Sequence, residues 1–248
     1  MTLLTLSDLS VTLRNRPVLD GITLSVSEGE FVGLIGPNGA GKTTLMRAAL
    51  GLVPCAGHSS LAALSPAARA KQAAWMPQAR EIAWPVSVET LVSLGRLPHG
   101  GGTEADAAAI EDALAQMQLS PLRARTATRL SGGEQARALI ARALAQECPL
   151  LLADEPVAGL DPAHQIATMQ VFARLAAEGR GVVTSLHDLG LAARHCTRLV
   201  LLAHGRILAD GTPAEVLTPA RMAEAFGVSI YHAETEDGPV FLPMGVLG

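Results

Sequence analysis

The sequence predicts an α/β protein with a parallel core, an antiparallel β layer and an inserted helical subdomain. Three observations carry this reading. Short apolar runs alternate with helix-like runs in the second half of the chain, alternating and β-branched segments fill residues 1–30, and helical patterning dominates residues 86–145. A chain of 248 residues, 49% of them hydrophobic, can bury a sizeable core. Its formal net charge of −4, without a Lys/Arg block, gives no electrostatic footprint for nucleic acid or for an anionic membrane surface. No window of about eighteen residues is free of charged or helix-breaking residues, so no transmembrane helix is expected.

Taken in order, Thr2–Leu6, Leu9–Leu13 and Ile22–Val26 read as strands of the β layer, separated by the turn formers Asn15-Arg16-Pro17 and Ser27-Glu28-Gly29-Glu30. The apolar run Phe31–Ile35 reads as a core strand and Leu45–Leu50 as a helix. Pro54 to Pro66 reads as loop with a short strand at most, followed by a helix from Pro66 to Lys71 and a buried strand, Ala73–Met76, that Pro77-Gln78 ends. Ser87 starts a helix to about Gly95, Pro98 to Gly102 forms a joint, and Thr103 with Asp106 caps a helix running to Met117. Leu150–Ala153, Val182–Leu186 and Leu199–Leu202 are continuous apolar runs of the kind found in parallel strands covered on both faces, with helices Pro162–Glu178 and Leu189–Cys196 between them. A hairpin follows Gly205, then helices near Pro213–Leu217 and Pro219–Phe226, and a tail to Gly248 that the pattern does not assign. The expected division is a β layer (about 1–30 and 52–72), a core (about 31–51, 73–85 and 146–210), a helical insert (about 86–145) and a C-terminal extension (about 211–248).

Between the Phe31 strand and the Leu45 helix lies Gly36-Pro37-Asn38-Gly39-Ala40-Gly41-Lys42-Thr43-Thr44. Two glycines with four residues between them, then Lys and Thr, let backbone N–H groups curl round a phosphate at a helix N-terminus. Lys42 would reach the β- and γ-phosphates, and the Thr43 hydroxyl would ligate Mg²⁺. Asp154 and Glu155 directly follow the strand Leu150–Ala153, at the sheet edge where the phosphate loop also lies. Adjacent residues leave a strand in different directions, so Asp154 can serve the Mg²⁺ shell while Glu155 acts on the attacking water. Ser131-Gly132-Gly133-Glu134 opens a further helix and reads either as an ordinary capping box or as a second anion-binding helix start.

Together these motifs resemble the ATPase subunits of ABC transporters over nearly the whole chain. Gly36–Thr44 resembles the Walker A loop, Gln78 the Q-loop glutamine, Leu130–Gln135 the signature and Leu150–Glu155 Walker B. Asp161 in Ala158-Gly159-Leu160-Asp161 resembles the D-loop, and His187 resembles the switch histidine. The resemblance implies a phosphate-loop NTPase core of the ABC type with ATP and Mg²⁺ as cofactors. It also implies a homodimer in which each ATP lies between Walker A of one subunit and Ser131-Gly132-Gly133 of the other. Gln78 would ligate Mg²⁺ and sense the γ-phosphate; His187 would contact that phosphate and orient Glu155. Relatives usually carry an aromatic residue near the position of Leu13, stacking on adenine, whereas no aromatic lies between Met1 and Ser27 here. Loss of a stack worth about 1 kcal/mol is expected to weaken nucleotide binding severalfold unless Arg14 or Arg16 covers the ring.

Leu94-Gly95-Arg96-Leu97-Pro98-His99, Leu186–Cys196 and Ala214–Pro219 resemble ATPases of importers for iron chelates, haem and cobalamin, and Ile82–Val88 also resembles zinc and manganese importers. The implied partners are two transmembrane permease subunits and a separate substrate-binding protein, with this chain peripheral on the cytoplasmic face of the inner membrane. Met1-Thr2-Leu3-Leu4 lacks the basic start of a secretory signal, and Cys55, Cys148 and Cys196 are scattered, so buried thiols in a reduced compartment are expected. Arg80, Trp84, Pro85 and Arg96 are the candidates to line the permease groove. A soluble ABC-type ATPase of iron–sulfur assembly is the competing reading. A phosphate-loop kinase or switch would carry neither the signature nor Glu155.

Overall fold

The computed structural model describes residues 1–79, 81–100, 102–236 and 238–247. The chain begins with a long hairpin, β1 (Thr2–Leu13) and β2 (Arg16–Ser27). Strand β3 (Phe31–Ile35) and helix α1 (Lys42–Ala49) flank the glycine-rich loop, and β4 (Ala56–Ser59), α2 (Pro66–Gln72) and β5 (Ala73–Met76) follow. The insert contains α3 (Val88–Ser93), a 3-10 segment (Leu94–His99), α4 (Glu104–Gln116) and α5 (Gly132–Ala145). The chain then alternates β6 (Leu150–Ala153), α6 (Pro162–Ala177), β7 (Gly181–Ser185), α7 (Leu189–His195) and β8 (Arg198–Ala203). It closes with β9 (Arg206–Gly211), α8 (Pro213–Val216), α9 (Pro219–Phe226) and a hairpin, β10 (Val228–Thr235) with β11 (Gly238–Val246).

The core sheet runs in the order β5-β6-β7-β3-β8-β9, parallel except for β9, which returns antiparallel on β8. A second sheet, β2-β1-β4, is antiparallel. Period-two alternation in the core strands explains how the layers stack. Val32, Leu34, Leu150, Leu152 and Val183 face Leu6 and Val26 of the β layer and Leu45 of α1; Phe31, Ile35, Leu151 and Val182 face the other helices with Leu139 and Phe172. Phe31 and Phe172 meet edge to face, with ring centroids 6.1 Å apart.

Four elements differ from the sequence reading. Thr2–Leu6 and Leu9–Leu13 form one strand, because the register slips between Leu6↔Leu24 and Leu9↔Ile22 and leaves Asp8 at φ 49. A bulge absorbs the break in alternation, and Asp tolerates the left-handed region. Strand β2 reaches back to Arg16 through Pro17, which is tolerated because β2 is an edge strand, paired on one side only. The first insert helix ends at Ser93 and tightens into the 3-10 segment, which carries Pro98 and His99 of the expected joint; Gly101 lies outside the described residues. The unassigned tail is the β10–β11 hairpin, whose Phe241 is buried and stacks on His232 at 4.4 Å.

Arg96 is corrected as a groove residue: only 6% exposed, it is enclosed within the insert. Its Nε donates to Asp106 Oδ1 at 2.6 Å, and its Nη1 donates to Ala145 O at 2.8 Å and to Glu147 Oε2 at 2.7 Å. A guanidinium offers several donors in a fixed plane, so one side chain can tie α4 to the end of α5. Gln146 continues the tie by donating to Ala70 O at 2.7 Å. Cys148 and Cys196 are buried and Cys55 is half-buried; burial pushes the Cys148 thiol up to about 11 and raises that of Cys196 as well.

The Thr103 N–H, Arg96 and the Thr103 hydroxyl all favour the ionised Asp106, holding its carboxyl at about 2. A depressed folded-state value means the stabilisation is complete above the ordinary carboxylate range, about 4, and is lost as pH falls through about 2. Asp106→Asn is therefore expected to lower stability at neutral pH and to flatten the pH dependence of unfolding between those limits. Urea titrations of both proteins across that range check it, and parallel acid profiles would contradict it.

Candidate functional site

Strand register decides which residues share the carboxyl edge of the core sheet. Ala153 of β6 pairs with Thr184 of β7, and Leu34 of β3 pairs with Ser185 of β7. Asp154, the residue immediately beyond Ala153, therefore lies in one row with Ser185 and Leu34, and Gly36 opens the loop two residues beyond Leu34. The loop that leaves β3 needs its glycines. Gly36 has φ 147, and a Cβ there would stand 2.2 Å from Leu202 O; Gly41 has φ 103, and its Cβ would stand 2.6 Å from Leu19 Cδ2. With both positions bare, the loop tucks between β8 and the β1–β2 hairpin and delivers Lys42 to the first turn of α1.

Lys42 is buried, and its Nζ donates to Gly36 O at 2.6 Å and Pro37 O at 3.1 Å. Burial lowers the pKa of its ammonium, while the charges of Glu155 and Asp154 act in the opposite direction. Ser185 Oγ donates to Asp154 Oδ1 at 2.7 Å and accepts the Glu155 N–H at 2.8 Å. Glu155, a non-glycine residue at φ 49, turns its side chain away from the strand line, and its Oε1 meets His187 Nε2 at 2.7 Å. Desolvation raises the Glu155 pKa, but the His187 contact, a hydrogen bond from Gln78 and the charge of Lys42 outweigh it, so the carboxyl sits below its ordinary value.

A cavity of about 380 Å³ is lined by Asn38 to Thr44, Gln78, Glu155, Leu13 and Val18. Surface depressions of about 560 and 580 Å³ lie elsewhere, but neither contains a phosphate-loop residue. Gly36 and Pro37 lie behind the cavity as acceptors for Lys42. Asp154 is 1% exposed, and among the described residues its Oδ2 has no hydrogen-bond partner. A buried carboxylate oxygen is costly without a counterpart, and with a Thr hydroxyl and an amide oxygen it makes a hard-cation donor set. Asp154, Thr43 and Gln78 are thus the residues that could hold Mg²⁺.

The other sequence candidates lie outside this cavity's lining. Ser131 is exposed at the N-cap of α5, where a full capping box forms: its N–H donates to Glu134 Oε2 at 2.7 Å and its Oγ accepts the Glu134 N–H at 3.3 Å. Gly132 has open space where a Cβ would stand. Asp161 caps α6, accepting from His164 N at 3.0 Å and contacting His164 Nδ1 at 2.6 Å. Trp84 is 74% exposed and Pro85 is exposed, while Arg80 lies outside the described residues. Neither Arg14 nor Arg16 lines the cavity. Ser185 is the functional residue that sequence reasoning missed; the polar end of the run Gly181–Ser185, level with Asp154, was the available signal.

The ABC transporter family model matches residues 19–158. The cobalamin import ATP-binding protein BtuD of Halobacterium salinarum is 44% identical over 236 residues, covering 92% of this chain; the chain spans 59% of that relative's length. The hemin import ATP-binding protein HmuV of Pseudomonas aeruginosa is 41% identical over 239 residues, covering 92% of this chain and 94% of the relative. Among solved structures, a metal-chelate type ABC transporter in an inward-facing conformation superposes with a TM-score of 0.85 at 24% identity, covering 99% and 98% of the two chains. A dimeric bacterial ABC transporter cassette does so with 0.76 at 25% identity, covering 85% and 98%. The phosphate-loop fold, the match over residues 19–158 and relatives above 40% identity along most of its length place this protein in the ABC transporter family, among its ATP-binding members.

Proposed function

We propose that this chain hydrolyses ATP to power import of a metal chelate through a membrane ABC transporter. The observation that carries the ATPase reading is the hydrogen-bonded chain Asp154–Ser185–Glu155–His187, whose Glu155 lines the phosphate-loop cavity. Backbone N–H groups of Asn38 to Thr44 and the start of α1 would hold the phosphates, with Lys42 exchanging the carbonyls of Gly36 and Pro37 for phosphate oxygens. Bound Mg²⁺ supplies charge neutralisation at the β- and γ-phosphates. Glu155, kept ionised by its lowered pKa, orients the attacking water and accepts its proton. His187 fixes the carboxylate's direction from one side and Gln78 from another; Ser185 sets the backbone from which Glu155 departs.

A second copy would complete the site. No residue of Leu130–Gln135 lines the cavity, yet Ser131-Gly132 is an exposed helix start with open space before it. Capping uses Ser131 Oγ as an acceptor, which leaves its O–H to donate to a phosphate oxygen. The capping box and the anion site are thus compatible uses of one residue, and the likeness to a dimeric cassette supports the arrangement.

The relatives named for cobalamin and hemin import favour a chelate over free zinc or manganese as cargo. Their names also favour transport over iron–sulfur assembly. Among the described residues no helix is long and apolar enough to cross a membrane. By likeness to the import ATP-binding proteins, the chain would attach to two permease subunits, peripherally on the cytoplasmic face. A separate binding protein would deliver the cargo. Trp84 and Pro85, exposed beside the insert, are the contact candidates that remain.

Glu155→Gln should retain ATP binding, lower turnover by about 10²–10⁴-fold and accumulate an ATP-bound dimer in size-exclusion chromatography. Hydrolysis at a rate near that of the unaltered protein would remove Glu155 from the mechanism. Ser131→Arg should abolish ATPase activity with nucleotide binding to the single chain intact; full activity would refute the shared site. Cells lacking this chain should lose uptake of labelled hemin or cobalamin and keep uptake of zinc, and the reverse pattern would reassign the cargo.

A further inference from the structure

We infer that Arg125 is a positioning residue of the shared nucleotide site: its guanidinium offsets the charge of Glu134 at the start of α5, so that this helix start can receive the triphosphate held by a second copy. The inference rests on the head-to-tail reading given above. The α5 capping box is built with a carboxylate, and Glu134 Oε2 accepts the Ser131 N–H at 2.7 Å. That bond is the main influence favouring the ionised carboxyl; desolvation opposes it, and the Ser131 hydroxyl, Arg125 and Arg137 reinforce it, so the pKa of Glu134 lies below its ordinary value. The helix start that is to meet a polyanion thus carries an anion of its own. Two negative charges repel, and more strongly once water is removed from between them.

Arg125 is placed to answer that charge. Its Nη1 lies 3.8 Å from Glu134 Oε1, the carboxylate oxygen other than the one that caps Ser131, and its Nη2 donates to Arg129 O at 3.2 Å. The backbone below is fixed on both sides: the Arg125 N–H donates to Leu122 O at 2.9 Å, and the Arg125 carbonyl accepts the N–H of Val88, on α3, at 3.0 Å. Arg137, the other cation that acts on Glu134, donates to Met117 O at 3.3 Å. The side chains of Arg125 and Glu134 are 49% and 22% exposed, so their attraction is weak in the single chain. Closure of a second copy over Ser131 would exclude water and strengthen it. A Gln at position 134 could accept the Ser131 N–H through its amide oxygen, so Arg125 answers the charge of Glu134 and not its capping.

The test places Arg125→Gln, Glu134→Gln and the pair together in the Glu155→Gln protein and measures the ATP concentration that gives half-maximal dimer in size-exclusion chromatography. Arg125→Gln should raise that concentration about tenfold, because a like charge is left uncompensated against the phosphates. Glu134→Gln should lower it, and the double variant should behave as Glu134→Gln does. Arg125→Lys, which keeps the charge, should lose less than Arg125→Gln. ATP binding to the single chain, measured in dilute protein, should be the same for Arg125→Gln as for its parent, which also shows that the variant is folded. No defect in Arg125→Gln, or a defect that Glu134→Gln leaves in place, would overturn the inference while leaving the shared site intact. Absence of any ATP-dependent dimer in the Glu155→Gln parent, with ATP still bound by each chain, would overturn both.

Discussion

The parallel register that joins β6, β7 and β3 is the constraint on which the site depends. Ala153↔Thr184 and Leu34↔Ser185 bring three strand ends to one level, and every group proposed for chemistry hangs from those ends. A slip of one residue would exchange the two faces of a strand. Leu150 and Leu152 would then turn from the β layer toward the helices, and Asp154 would leave its place beside Ser185. Packing on both faces of the sheet thus locks the position of the carboxylates.

Much of this was legible in the sequence where local chemistry and tertiary environment agree. The run Leu150–Ala153 is apolar at every position because both faces are covered, and Thr103 with Asp106 forms the capping box that its spacing announces. The phosphate loop is legible for the same reason, since its glycines occupy positions where a Cβ would strike Leu202 O or Leu19. What escaped depends on contacts distant in sequence. The bulge at Asp8 joins two apparent strands because β2 lies alongside, and the run after Gly227 gives no periodic pattern, yet Phe241 packs against the core.

Arg96 and Ser185 show two ways in which a residue's role hides. Arg96 stands between exposed Leu94 and Leu97, where a charged side chain reads as surface. Only Asp106 on α4, the Ala145 carbonyl at the end of α5 and Glu147 just beyond it show it as an internal tie. Ser185 ends an apolar strand and has no motif of its own, and its importance comes from Asp154, thirty-one positions away. Except for Arg96–Asp106, ten positions apart, these bonds join residues that no short sequence window contains.

The β1–β2 hairpin is anchored to the core at two heights. Arg198 on β8 donates to Ser25 O at 3.0 Å and pairs with Glu30, while farther along β2 Asp20 donates its N–H to Gly205 O at 2.9 Å and pairs with Arg206. Beyond Asp20 the hairpin continues to its tip, which carries Leu13 and Arg16 and overhangs the phosphate loop. Mechanically it is a cantilever clamped on the β8–β9 turn. A ligand under the overhang therefore lies between the hairpin, moored to β8 and the β8–β9 turn, and the phosphate loop that leaves β3.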